Sequence, residues 1–78
     1  MSIREKIIKI LKEVKPTKNL EGITDIVEGG YLDSFEIMHL ISNLSDEFGV
    51  EIAVDDIVPD NFNSVDAIVA MIETLKSR

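Results

Sequence analysis

Few groups in this chain can do chemistry, and the first is Ser34, in the run Gly30-Tyr31-Leu32-Asp33-Ser34-Phe35. A serine hydroxyl becomes a nucleophile when a neighbouring base takes its proton, and the one histidine, His39, stands five residues further on. On a helix that offset rotates His39 by about 140° and displaces it by about 7.5 Å, out of reach of the hydroxyl. Ser34 is therefore expected to be acted upon rather than to act, and His39 to be a plain surface residue. With no cysteine, the chain has no thiolate nucleophile, no disulfide and no thiolate metal site, so any thiol chemistry must be imported. Asp55, Asp56, Asp60 and Asn61 cluster like calcium ligands, but the run lacks the glycine and terminal glutamate of the twelve-residue loop, and no metal site is expected.

Two readings of Ser34 follow from its place at the start of a helix. Serine is among the preferred N-caps, its oxygen accepting from the N2 or N3 amide, and loss of such a cap costs about 0.5–2 kcal/mol. Asp33 caps equally well, with Glu36 at a loose capping-box spacing, and Ser34 is then free to point outward. An anionic phosphodiester on that oxygen would meet unpaired amides and the positive end of the helix dipole, favourable by roughly 0.3–1 kcal/mol when exposed. Asp33 and Glu36 partly oppose it. On a wheel of about 100° per residue, Ile37, Leu40, Ile41, Leu44 and Phe48 fall within one arc facing a core. Phe35 lies opposite, among His39, Ser42 and Asp46, and Met38 lies off the buried arc, so apolar surface flanks Ser34 and reads as a partner-binding patch.

The elements that must hold this hydroxyl are helical. Ser2 and Glu5 match a capping box ahead of a stripe from Ile3 to Val14, which Pro16 terminates, giving a first helix over about 3–14. Residues 15–33 carry Pro16, Asn19, Gly22 and Gly29-Gly30 among scattered apolar anchors, and predict a long ordered loop. The second helix starts at Asp33 or Ser34, runs over about 34–48 and ends at Gly49. A short acidic helix over about 54–58 is expected to stop at Pro59, and Asn63 or Ser64 caps a last helix over about 64–76. The fold class is all-α: a small antiparallel helical bundle of three long helices and one short, with a long first loop, making a single domain over 1–78.

Charge is unevenly spread along the chain. Residues 1–18 hold six basic residues against two acids, whereas residues 19–75 hold thirteen acids and no Lys or Arg, within a net charge of −7. That balance disfavours nucleic acid and anionic membrane and favours partners with basic docking surfaces. The apolar runs are too short to insert in a bilayer, and the opening residues carry no signal-type stretch, so a cytoplasmic location and a monomer are expected.

The run Gly30-Tyr31-Leu32-Asp33-Ser34-Phe35, continued by Glu36-Ile37-Met38-His39-Leu40-Ile41, resembles the Asp-Ser-Leu modification motif of acyl and peptidyl carrier proteins, with Phe35 where leucine is commonest. The similarity extends through Asp46-Glu47-Phe48-Gly49-Val50-Glu51-Ile52 and the final helix from Ser64, nearly the whole chain. The resemblance implies that a phosphopantetheinyl transferase moves 4′-phosphopantetheine from coenzyme A onto Ser34, with Asp33 assisting as a transferase contact or serving as the helix cap. The arm's thiol would then hold cargo as a thioester, loaded by an acyl- or aminoacyl-activating ligase and passed to a downstream synthase or transferase. The protein would catalyse nothing itself. Phe35, Glu36, Met38, Asp46, Glu47, Asp55, Asp56 and Ile57 are the candidate partner contacts.

His39, Ser42, Asn43 and Ser45 stand where typical fatty-acid carriers have more carboxylates. With Phe35, this resembles stand-alone carriers of amino acids, such as D-alanyl carrier proteins, or carriers of dedicated biosynthetic clusters. The alternatives are a fatty-acid synthesis carrier and an unmodified acidic helical protein-interaction module in which Ser34 is only a cap or a phosphorylation site.

Overall fold

A computed structural model describes residues 1–78, and all of its regular structure is helical. Helix α1 (Ile3–Val14) starts at Ser2, whose hydroxyl accepts from the Glu5 amide at 3.1 Å while the Glu5 carboxylate accepts from the Ser2 amide at 3.1 Å. This is the capping box that the sequence predicts, and it satisfies two of the amides that a helix start leaves without partners. Helix α2 (Ser34–Phe48) ends at Gly49, which takes φ 62° in the left-handed region that residues with a side chain avoid. Ser64, rather than Asn63, caps α4 (Val65–Lys76), accepting from the Ala67 amide at 3.0 Å.

The short acidic helix expected over 54–58 is instead a single 3-10 turn, Val54–Asp56, and Pro59 opens a helix rather than stopping one: α3 spans Pro59–Phe62. The reason lies in proline itself. Its missing N–H costs nothing at the first helical position, its φ is already helical, and it drives the preceding residue out of the helical region. Val58 accordingly has ψ 151° and is extended.

Ile7, Ile10, Leu11 and Val14 of α1, Leu40 and Leu44 of α2, Phe62 of α3, and Val65, Ile68, Met71, Ile72 and Leu75 of α4 form one core. Ile37, Ile41 and Phe48 complete the predicted face of α2, half-buried against it. Helix α1 packs against both α2 and α4, and α3 packs against α4. Two ion pairs fix α1 and α2 as antiparallel: Lys6 with Glu47 at 3.7 Å joins the start of one to the end of the other, and Lys15 with Glu36 at 3.2 Å joins the opposite ends.

The long loop is held by its own anchors, Leu20, Ile26 and Leu32, which are buried in the core, and by Asn63. Asn63 sits between α3 and α4, and its side-chain carbonyl accepts from the Val27 and Glu28 amides at 3.0 and 3.1 Å. Its amide group donates to the Glu28 carboxylate at 2.7 Å, and its backbone carbonyl accepts from the Ile26 amide at 2.9 Å. A loop backbone that crosses a core needs such partners, because an unpaired buried amide costs as much as a lost hydrogen bond. In the same loop a Cβ at Gly29 would come within 2.8 Å of Asp25 and Tyr31, so only glycine fits.

Four of the eight basic residues and four of the fifteen acids form ion pairs within the fold. Arg4 pairs with Asp66, Lys6 with Glu47, Lys15 with Glu36, and Arg78 with Asp56. Lys18 lies 5.6 Å from the centre of the Tyr31 ring, and Lys6 and Lys76 each lie 5.9 Å from that of Phe48. Each exposed pair adds at most about 1 kcal/mol, so their main effect is to decide which carboxylates stay open to solvent.

Candidate functional site

Asp33 is the N-cap of α2. Its carboxylate accepts from the Glu36 amide at 2.8 Å, and the Glu36 carboxylate accepts from the Asp33 amide at 2.9 Å, so the box is closed. Ser34 is therefore the first helical residue and not the cap; it is exposed, and its hydroxyl takes part in no hydrogen bond of the chain. The amides of Ser34 and Phe35 likewise have no partner within the chain, as expected of the first positions of a helix. A free hydroxyl and two free amides thus stand together at the positive end of a helix of 15 residues. His39 lies exposed further along α2, and no group of three His, Cys, Asp or Glu side chains gathers at any point to hold a metal.

Phe35 and Met38 are 87% and 64% exposed, and they border Ser34 on two sides. Ser34, Ile37 and Met38 share a face at i, i+3 and i+4. Beside Ile37, an apolar cleft of about 90 Å³ is lined by Val27, Ile37, Ile57, Val58, Pro59 and Phe62. Ile57 and Val58 are about two-fifths exposed at its rim, and Val54 is exposed on the neighbouring 3-10 turn. A larger open groove of about 320 Å³ lies elsewhere, against α4, its lining divided between apolar side chains such as Met71 and Leu75 and the polar or charged Asp56, Asp60, Asn61, Thr74 and Arg78.

The acids flagged in the sequence do not share one surface. Glu36 and Glu47 turn toward α1, where Lys15 and Lys6 hold them. Asp46 is exposed, but lies 12 residues along α2 from Ser34, about 18 Å at the rise of a helix, beside a groove it shares with Ile10, Glu13 and Asn43. Asp56 accepts from the Ala53 amide at 3.1 Å and pairs with Arg78 at 3.7 Å, leaving its side chain 14% exposed. Asp55 alone of the short-turn acids is exposed and unpaired. Sequence reasoning missed Lys15, Val54 and Val58. Val54 and Val58 bracket Asp55, Asp56 and Ile57 in a short acidic segment whose pattern points only to a helix, and no pattern marks Lys15 among the lysines of its segment.

Comparison with known proteins agrees with this geometry. Residues 2–72 match the family described as the phosphopantetheine attachment site. The D-alanyl carrier protein of Staphylococcus saprophyticus subsp. saprophyticus is 27% identical over 78 residues, covering 97% of this chain and 100% of that protein. With a family match over nearly its whole length, and a free serine hydroxyl at the mouth of α2, the chain belongs to the phosphopantetheine-binding family of carrier proteins, whose prosthetic group is 4′-phosphopantetheine.

Proposed function

We propose that Ser34 carries the 4′-phosphopantetheine and that the protein presents a small aminoacyl or specialised acyl cargo to successive enzymes while catalysing nothing itself. The single observation that carries this reading is the free Ser34 hydroxyl, left uncommitted because Asp33 does the capping. The surroundings fit the group. A phosphodiester on that oxygen has the Ser34 and Phe35 amides within its first turn, and of the two carboxylates that oppose it, Asp33 is committed to capping the Glu36 amide and Glu36 is paired with Lys15. When bound, 4′-phosphopantetheine supplies the thiol that this cysteine-free chain lacks, on which cargo is held as a thioester. No base of this chain is bonded to the hydroxyl, so its proton must pass to the transferase that modifies it.

Asp33, Phe35, Met38, Asp55 and Ile57, with Val54 and Val58, make up the surface proposed for docking that transferase, the loading ligase and a downstream synthase or transferase. Glu36, Glu47 and Asp56 contribute through internal pairing, and Asp46 through long-range charge. A small apolar patch in an acidic field gives fast encounter with modest affinity, as a carrier that must leave each partner requires.

The cleft beside Ile37 favours small cargo. At about 90 Å³ it is far below the roughly 300–1,000 Å³ typical of ligand pockets, which supports a small cargo over a long acyl chain. The likeness to a D-alanyl carrier protein points the same way. Intact-mass analysis after co-expression with a broad-specificity phosphopantetheinyl transferase tests the attachment: one phosphopantetheine mass is expected on the wild type and none on Ser34→Ala. An unmodified wild type, or a modified Ser34→Ala, would refute it. Loading assays against panels of amino acids and fatty acids, with their ligases, then decide the cargo.

A further inference from the structure

Two adjacent residues can cap α2, and Asp and Ser are of nearly equal intrinsic strength as caps. With Asp33 as cap, Ser34 is free; with Ser34 as cap, its oxygen would accept from the amide of Ile37, its own N3 position, and lie against the helix. Whatever favours the first arrangement keeps the hydroxyl available. In the structure Glu36 closes the Asp33 box, and the same carboxylate is gripped from outside the helix by Lys15, whose Nζ lies 3.2 Å from Oε2 and 3.3 Å from Oε1. Lys15 belongs to another element. It is the C-cap of α1, its amide bonded to the Leu11 carbonyl at 2.8 Å, so the grip ties the first turn of α2 to the end of α1. The two side chains are 31% and 22% exposed, the least exposed combination among the four ion pairs.

We propose that Lys15 is a positioning residue for the modification of Ser34: by holding Glu36 in the box it keeps Asp33 as the cap and the hydroxyl uncommitted. The inference rests on Ser34 being the attachment site. Initial rates of modification by a broad-specificity phosphopantetheinyl transferase with coenzyme A, read by intact mass against carrier concentration, test it. Lys15→Met is expected to raise KM by up to about twofold, the limit for two otherwise equal caps, with kcat nearly unchanged, because the transferase binds only the fraction with a free hydroxyl. Lys15→Arg is expected to restore the wild-type KM. Glu36→Gln keeps the box and removes the ion pair, so it is expected to match Lys15→Met, with no further change in the double variant. In ¹⁵N spectra of Lys15→Met, the Ile37 amide is expected to move as it gains the Ser34 oxygen.

An unchanged KM in Lys15→Met, with or without a lower melting temperature, overturns the proposal. So does a lower KM, which would mean that Lys15 acts only by opposing a basic partner. Modification of Ser34→Ala, or none of the wild type, overturns the attachment site itself and is told apart by needing no Lys15 variant.

Discussion

Replacing Asn63 by alanine removes the side chain that binds the long loop to the junction of α3 and α4. Three hydrogen bonds go: those from the Val27 and Glu28 amides at 3.0 and 3.1 Å, and that to the Glu28 carboxylate at 2.7 Å. The backbone bond from Ile26 to the residue 63 carbonyl stays, since it does not depend on the side chain. Each lost neutral bond is worth about 1 kcal/mol, and the charged one is discounted because Glu28 is exposed and regains water. The sum is about 2–4 kcal/mol. For a chain of 78 residues that is a drop in melting temperature of roughly 10–30 °C, out of a total stability of about 4–12 kcal/mol. Thermal and urea unfolding followed by circular dichroism measure it, and hydrogen exchange should show protection lost first at Val27 and Glu28. A fall in melting temperature below about 4 °C, with those amides still protected, would refute the reasoning that this one side chain tethers the loop.

Phe35→Ala and Met38→Ala are each expected to change stability by less than about 0.5 kcal/mol, as befits exposed side chains, yet to slow loading by a partner enzyme; a large stability loss would place them in the core. The Glu5 carboxylate is held below its ordinary value of 4.5, chiefly by the bond from the Ser2 backbone amide and next by its bond with the Ser2 side chain. Its folded value being depressed, its contribution to stability is fully present above the ordinary value and is lost as pH falls through the folded one. NMR titration should find Glu5 below its ordinary value, with the shift reduced but not abolished in Ser2→Ala; equal titration in both proteins would contradict the capping box.

Much of the fold was legible because it is written in local rules. The stripes of α1, α2 and α4, the Ser2–Glu5 and Asp33–Glu36 boxes and the glycine stop at residue 49 depend on residues at most four apart. Their spacing is visible in any linear reading. Pro59 misled because proline both ends helices and starts them, and a rule of punctuation cannot separate the two. At the site, the exposure of Ser34, Phe35 and Met38 followed from the wheel of α2. The separation of the acids did not. Glu36 and Asp56 looked as available as Asp55 until their partners came into view, 21 and 22 residues away in the chain.

What the sequence determined by itself, then, is the three long helices, the faces they bury, and a serine beside a competent cap, since each is fixed by neighbours along the chain. Tertiary structure decided which carboxylates remain open, how the loop is tethered through Asn63, and that Lys15 reaches Glu36. Those outcomes depend on groups far apart in sequence, brought within 3–4 Å by packing the core, and no periodicity encodes them.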